Sequence, residues 1–182
     1  MGRIIALDVS LRATGFAVVD AGQQPEKLLQ YGYIPTMPDK RRKGRRTEDD
    51  IRRVSLIVLQ LRTLLEKWQP GLVVAELPSW SQSSRGAVAQ GVSLGILGAL
   101  RVIDAVPCLW VDPQETKTGA TGSRKASKGD VQAAVVRVWP ALACRNNDER
   151  EAVCDSLGAL MFARSTDLYL MAARRREGEA GT

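Results

Sequence analysis

Apolar residues in the first half of the chain recur with the periods of strands and of one helix. Three short β-rich runs separated by turn residues predict antiparallel strands at residues 3–9, 14–20 and 28–34. Residues 47–68 carry apolar side chains at helical spacing, which predicts a helix with Thr47 as its N-cap. Residues 72–77 form a continuous apolar run closed by Pro78, and this is typical of a strand buried on both faces.

The second half of the chain is predicted to alternate helices with one further strand. Residues 86–105 are rich in small side chains, which suit close helix packing, and we expect a tightly packed or dimer-facing helix there. The pattern then predicts a strand at 108–111, a polar loop at 113–125, and helices at 127–139 and 149–163. This order predicts an α/β, ribonuclease H-like fold. Its five-stranded mixed sheet has three antiparallel strands followed by parallel ones, flanked by helices.

Length and composition fit a single domain. The chain has 182 residues, of which 45% are hydrophobic and 25% charged, and this balance is able to bury a core. We expect the ribonuclease H-like domain at residues 1–165 and a partly disordered C-terminal tail at 166–182. An opening strand pattern without an apolar leader, and no apolar run near the length of a membrane span, predict a soluble, intracellular, cytoplasmic protein.

The absence of histidine restricts the chemistry that the chain can perform. With no histidine in the sequence, Ser-His-Asp triads and His-ligated zinc are excluded. Its three cysteines lack C-x-x-C spacing, so a thiolate metal site is not indicated either. Carboxylates that hold Mg²⁺ or Mn²⁺ remain. The net charge of +6 favours a phosphate-rich partner, for which nucleic acid is the leading candidate.

Four acids have positions that suit a metal-dependent nuclease. Asp8 ends the first strand, Glu76 ends a buried strand, and Glu151 and Asp155 share one face of the last helix. An isolated Asp is more often a turn residue, and acids at a helix start often compensate the helix dipole. Glu76 resists such explanations, because an acid in an apolar strand needs a cation or a donor. Asp148 lies about 10 Å along the axis from Asp155 and does not readily share one metal with it.

Basic side chains are dense in two predicted loops. Residues 40–53 hold eight of them against three acids, which fits either a solvated loop or a flexible arm that contacts phosphate. The candidates for DNA contact in this segment are Arg41, Arg42, Arg45 and Arg46. The loop at 117–128 places cations among Gly and Ser where a phosphate can dock, and its candidates are Lys117, Arg124, Lys125 and Lys128.

Four blocks of sequence resemble the RuvC-type Holliday junction resolvases, over roughly residues 3–163. The first contains Asp8, with Val9-Ser10 where the family has Pro-Gly, and the second is the apolar strand that finishes on Glu76. The fourth is the Asp155 motif of the last helix, where Ala152 replaces the family's partner ligand and Glu151 is the nearest substitute. The third is the most specific, and the residues at the family's spacings are Lys117, Thr121, Gly122, Ala126, Lys128, Val131 and Gln132.

The resemblance implies a homodimer that binds a four-way DNA junction and makes paired nicks. It implies two Mg²⁺ ions per active site, with Mn²⁺ as a substitute and no organic cofactor. The implied metal ligands are Asp8, Glu76, Glu151 and Asp155. Lys128 would stabilise phosphate charge in the transition state. The density of basic residues at 40–46 indicates a divergent bacterial or phage-borne branch.

The role of Trp80, the range of DNA substrates and the presence of catalytic activity each have an alternative interpretation. Trp80 follows the Glu76 strand, where base stacking in the junction and core packing are about equally expected. The substrate extends in one alternative to flaps, forks and other branched DNA. In another, the protein is a catalytically inactive junction-binding module, because Val9-Ser10 and the shifted acid Glu151 depart from the family pattern.

Overall fold

A five-stranded sheet with helices on both faces organises the protein. The computed structural model describes residues 2–23, 25–39, 46–79 and 81–174, with only the backbone of Arg46. The strands are β1 Arg3–Asp8, β2 Ala13–Asp20, β3 Lys27–Pro35, β4 Leu72–Glu76 and β5 Cys108–Val111. The helices are α1 Arg46–Trp68, α2 Ser84–Ile103, α3 Pro113–Thr121, α4 Lys128–Val138, α5 Asn147–Ala163 and α6 Asp167–Arg174.

The strand order confirms the predicted fold class. The sheet runs β3-β2-β1-β4-β5, with β1, β2 and β3 antiparallel and with β4 and β5 parallel to β1. Side chains of β1 alternate between the two faces, as the period of a strand requires. Ile4 and Ala6 pack in a cluster with α4, α5 and α6, whereas Ile5 and Leu7 pack in a second cluster with α1 and α2. The central strands are therefore buried on both faces in a ribonuclease H-like fold.

The register of the sheet brings two acids side by side. In the parallel β1–β4 ladder Asp8 pairs with Glu76, so both strands end at the same edge. In the antiparallel ladder Asp8 pairs with Gly15 of β2. A Cβ placed on Gly15 would lie 2.0 Å from the carbonyl oxygen of Ala152, so α5 can approach the sheet this closely only because position 15 is glycine. The close approach places the next turn of α5 over the end of β1.

The prediction of a polar loop at residues 113–125 is wrong for its first part, because that part forms helix α3. The Asp112 carboxylate caps this helix by accepting hydrogen bonds from the backbone N–H groups of Gln114 and Glu115. The Glu115 carboxylate in turn accepts a hydrogen bond from the backbone N–H of Asp112. Pro113 stands at the first helical position, and Gly122 ends the helix at a φ of 78°. The polar composition of α3 concealed a complete set of start and stop signals.

Two predictions at helix ends also need correction. Thr47 is not an N-cap, because α1 already begins at Arg46. Helix α6 lies within the segment predicted as a tail, and its Tyr169 and Ala172 are buried in the same cluster as α5. The domain core therefore extends past the predicted boundary at residue 165. Residues 175–182 lie outside the described part of the chain.

Helix α2 is longer and more apolar than a typical surface helix. By length and composition alone it is long and apolar enough to cross a membrane, and 22% of its apolar window is buried. No apolar run of this length was predicted from the sequence. Its inner face nevertheless belongs to the protein core, where Ile96, Leu97 and Leu100 pack against α1 and the sheet. The outer face carries exposed Val88, Leu94, Val102 and Ile103.

Candidate active site

A cavity of about 580 Å³ opens at the edge of the sheet where β1 and β4 end. It lies between the strand ends and the facing parts of α2, α3, α4 and α5. Asp8, Glu76 and Asp155 line it together with Lys117 and Lys128. Acids that lie far apart in sequence, on two strands and one helix, thus line one cavity.

A smaller cavity of about 200 Å³ adjoins the first one and shares Asp8, Lys128 and Asp155 with it. Glu151 lies in this second cavity, and the ammonium of Lys128 lies 3.2 Å from its Oε2 and 3.1 Å from Oδ2 of Asp155. Glu151 and Asp155 therefore share one helix face, as their spacing of four predicted. Asp148 also lines the second cavity, where Arg12 forms an ion pair with it at 3.4 Å.

Burial and neighbouring charges raise the pKa values of the three acids in the larger cavity. Burial is the largest of the effects that raise the pKa of Asp8 to about 8; the negative charges of Asp155 and Glu76 add to it, and the charge of Lys128 opposes it. Burial also raises the pKa of Glu76 to about 7, although a hydrogen bond from Thr116 opposes the shift. Burial likewise raises the pKa of Asp155, against the effect of Lys128. Burial thus disfavours ionisation of all three carboxyl groups, and Lys128 offsets this only in part.

Lys128 is positioned by the start of helix α4. Ser127 caps the helix, and Asp130 accepts from both the N–H and the hydroxyl of Ser127 at 2.8 Å, which fixes the first turn. Burial lowers the pKa of Lys128, but the charges and hydrogen bonds of Asp155 and Glu151 raise it above its ordinary value overall. The side chain therefore stays an ammonium beside the carboxylates, where a substrate phosphate would meet positive charge.

Thr116 is a site residue that sequence reasoning missed. Its hydroxyl donates to Oε2 of Glu76 at 2.6 Å, and the residue is 3% exposed. The wrong loop prediction for residues 113–125 hid it, because only a helix at α3 turns this side chain toward β4. The capping signals of α3 are the sequence feature that would have placed it.

The donor set is suited to a hard divalent cation. Carboxylate oxygens are the ligands that Mg²⁺ and Mn²⁺ prefer, and the raised pKa values of Asp8 and Glu76 show that their charged forms are disfavoured without a further cation. Within residues 2–23, 25–39, 46–79 and 81–174, no three acidic or thiol side chains already stand in the geometry of a metal site. Lys128 instead pairs with Asp155 and Glu151.

The predicted DNA-contact residues are spread over a wider surface. Lys117 lines the larger cavity, whereas Arg124 and Lys125 are exposed on the loop between α3 and α4. Lys125 lines a separate cavity with Asp130 and Arg137. The remaining candidates, Trp80, Arg41, Arg42, Arg45 and the side chain of Arg46, lie outside the described residues.

Solved structures with the same architecture include two junction resolvases. The structure described as T. thermophilus RuvC in complex with Holliday junction substrate aligns with a TM-score of 0.69 at 20% identity, over 88% of this chain and 91% of that one. The yeast mitochondrial Holliday junction resolvase Ydc2 aligns with a TM-score of 0.63 at 12% identity, over 94% of this chain and 80% of that one. At these identities the likeness establishes the shared fold.

Sequence comparison establishes the family. A relative from Prochlorococcus marinus (strain MIT 9211), named crossover junction endodeoxyribonuclease RuvC, is 31% identical over 137 residues, which are 74% of this chain and 79% of the relative. A relative of the same name from Thermomicrobium roseum is 28% identical over 135 residues, 71% of this chain and 74% of that one. The sequence model of crossover junction endodeoxyribonuclease RuvC matches residues 4–160. The chain therefore belongs to the RuvC family of crossover junction endodeoxyribonucleases.

Proposed function

We propose that the protein resolves four-way DNA junctions by paired, metal-dependent hydrolysis of phosphodiester bonds. The observation that carries this proposal is the meeting of Asp8, Glu76 and Asp155 in one cavity beside the ammonium of Lys128. Family membership supplies the reaction class, because the matched family is one of endodeoxyribonucleases. The geometry and the family thus support the same activity independently.

The acids have the role of metal ligands in this proposal. Asp8, Glu76, Asp155 and Glu151 would hold two Mg²⁺ ions, for which Mn²⁺ substitutes. The bound ions would supply an activated water and stabilise the leaving oxygen. Because the pKa values of Asp8 and Glu76 are raised in the protein alone, these groups release protons when a cation binds. Lys128 presents its ammonium at the cavity wall, where it stabilises negative charge on the phosphate in the transition state.

Glu151 is the proposed fourth ligand, in preference to Asp148. The ammonium of Lys128 already bridges Glu151 and Asp155, so a cation can lie between these two acids. Asp148 is turned toward the guanidinium of Arg12. Ala152, which has the position of the family's partner ligand, is packed against Gly15 and carries no donor.

DNA contact is assigned to the basic residues around the cavity. Lys117 lines the same cavity as the carboxylates, and Arg124 with Lys125 would contact phosphates further out. The arm at residues 40–46 would add Arg41, Arg42, Arg45 and Arg46. Trp80 would stack on a base at the junction, because it follows the strand that carries Glu76. In this proposal the protein acts on DNA in a bacterial or phage-infected cytoplasm.

A homodimer formed through α2 is the proposed assembly. Residues along its outer face follow one another at steps of three and four, and they are Val88, Gly91, Gly95, Gly98 and Val102. A Cβ on any of these three glycines would meet nothing within 4 Å, and Val88 and Val102 are 64% and 79% exposed. Small residues between apolar ones allow a second helix to approach closely, and a two-fold axis would present the same face twice. A membrane span is disfavoured because Ile96 and Leu97 belong to the core.

The decisive experiment offers the pure protein several DNA substrates. Labelled four-way junction, flap, linear duplex and single strand are incubated with Mg²⁺, Mn²⁺ or EDTA. Wild type is compared with Asp8→Asn and with Asp167→Asn, a control in an exposed acid of α6. We expect paired nicks in the junction with either ion, a loss of at least about 10³-fold in Asp8→Asn, and normal cleavage in the control. Junction binding should persist in Asp8→Asn.

Two other results would select the alternatives. Equal cutting of flaps and junctions would make the protein a nuclease of branched DNA in general. Tight junction binding by the wild type without cutting under any ion would identify an inactive junction-binding module.

A further inference from the structure

Three threonines in helix α3 use their hydroxyl groups in two different ways. Thr118 and Thr121 donate to the carbonyl four residues earlier, at 2.8 Å in both cases, which is the usual bond for a helical threonine. Thr116 instead donates across to Oε2 of Glu76 at 2.6 Å, and the two residues are forty positions apart in sequence. The hydroxyl of Thr116 therefore forgoes the local bond for one to a candidate metal ligand.

Thr116 is held rigidly enough to fix its partner. Its backbone N–H donates to the carbonyl of Asp112 at 2.9 Å, within the capped first turn of α3. Its methyl group packs on α5, since a Cβ placed on Gly158 would lie 2.8 Å from Thr116 Cγ2. A β-branched side chain whose methyl is fixed has its hydroxyl direction fixed as well. The residue thus ties together α3, α5 and the end of β4.

We propose that Thr116 is a positioning residue that orients the Glu76 carboxylate to bind a divalent cation. This inference rests on the proposed metal-dependent function. A hydroxyl that donates to one carboxylate oxygen restricts rotation of the group and leaves the other oxygen for the ion. Partners of this kind, which orient a ligand without touching the metal, commonly change metal affinity or activity by about 10–100-fold when removed.

Replacing Thr116 by valine distinguishes the contribution of its hydroxyl group from that of its methyl group. Thr116→Val keeps the shape and the contact with α5 but removes the donor, whereas Thr116→Ser keeps the donor. Thr118→Val removes a hydroxyl from an exposed position of the same helix and is the matched control. Metal affinity is measured without DNA, by titrating each protein with Mn²⁺ and following the paramagnetic signal of the free ion. Melting temperatures and junction binding in EDTA are recorded for each variant.

The expected result is a loss of about tenfold in Mn²⁺ affinity for Thr116→Val, with junction binding unchanged. Thr116→Ser should stay within about threefold of wild type, and Thr118→Val should equal it. The Mg²⁺ concentration for half-maximal cleavage should rise in Thr116→Val by the same factor as the Mn²⁺ dissociation constant. This agreement between ion binding and cleavage is not expected of a residue that only packs.

Two outcomes would overturn the inference, and they differ in what else they affect. Thr116→Val could bind Mn²⁺ as wild type does, even with a lower melting temperature, and Thr116 would then be structural while the proposed function stood. If wild type and Asp8→Asn both failed to bind Mn²⁺, the proposed metal-dependent function would fail as well.

Discussion

Helix α5 carries two acids in opposite electrostatic situations. Glu149 is 4% exposed and receives three hydrogen bonds from Arg145, from its backbone N–H at 2.7 Å, its Nε at 3.1 Å and its Nη2 at 2.9 Å. These bonds hold the pKa of Glu149 below its ordinary value. Six residues later, Asp155 faces the cavity of Asp8 and Glu76, and burial raises its pKa. One helix thus supports both a paired acid and a crowded one.

The opposite pKa shifts of Glu149 and Asp155 distinguish an acid that stabilises the fold from an acid whose charge is not fully compensated. Glu149 is matched by a cation of its own chain, so its charge costs little and helps to fix the start of α5. The cavity acids are matched only in part by Lys128, and their crowding is unfavourable until a cation or a proton is bound. Unsatisfied acids in a cleft are expected at functional sites, where local rules of stability are broken.

After Asp8→Asn, the largest effect is expected from removing the ammonium of Lys128, which pairs with Glu151 and Asp155. Lys128→Met should lower the single-turnover cleavage rate by about 10²-fold, because a charge that stabilises the transition state is lost. Junction binding should change only a few-fold. Lys27→Met, exposed at the start of β3 and at the opposite end of the sheet from Asp8, is the matched control and should cleave nearly as wild type does. If Lys128→Met cleaved the junction at the wild-type rate, the proposed role of Lys128 in catalysis would be wrong.

The second prediction tests whether the crowded acids destabilise the metal-free protein. Asp8 and Glu76 have pKa values of about 8 and about 7 instead of 3.8 and 4.5, so the native protein holds protons that the unfolded chain releases. Stability present below about pH 4 is therefore lost as the pH rises through 7 to 8. Asp8→Asn removes one titrating group. In EDTA at pH 8 it should be more stable than wild type by about 2 kcal/mol, or about 4–8 °C in melting temperature.

The same measurement at about pH 4 is its internal control. There both carboxyl groups are protonated in the native state and little of the stability has yet been lost, so Asp8→Asn should melt close to wild type. Mg²⁺ should raise the melting temperature of the wild type at pH 8 and have a smaller effect on the variant. A wild type whose stability in EDTA increased from pH 5 to pH 8 would contradict the assignment of crowded acids.

The positions of the candidate metal ligands were largely predictable from sequence, because they depend on periodicity and strand register. Apolar runs that end on Asp8 and Glu76 place both acids at one sheet edge, and a spacing of four places Glu151 and Asp155 on one helix face. The family blocks strengthened the same assignment.

The remainder depends on contacts between distant segments. The bond from Thr116 to Glu76 requires helix α3, whose polar residues gave no apolar pattern to detect. The ion pair of Lys128 with Asp155 requires α4 to pack on α5, and no local rule states that. The burial of Glu149 was also missed, since acids at a helix start usually face solvent.

The third prediction breaks the paired acid instead of the crowded ones. Glu149→Gln keeps the size of the side chain but cannot accept on both oxygens, so the bonds from Arg145 are partly lost. We expect a loss of about 1–2 kcal/mol in the free energy of unfolding at pH 7, measured by urea denaturation. The lowered pKa of Glu149 means that this difference shrinks as the pH falls and wild-type Glu149 becomes protonated. Cleavage should be retained, and a large loss of cleavage without loss of stability would place Glu149 in the site.

The smallest effect concerns the fourth acid of the cavity. Glu151 is exposed, with 54% of its side chain accessible, so its removal is expected to cost less than removal of the buried acids. Glu151→Gln should raise the Mg²⁺ concentration for half-maximal cleavage about fivefold, which is on the order of 1 kcal/mol. Asp148→Asn is the matched control, since Asp148 lines the same cavity but pairs with Arg12. A larger shift in Asp148→Asn than in Glu151→Gln would move the fourth ligand one turn toward the start of α5, and the ion pair with Arg12 would then have to open before the ion binds.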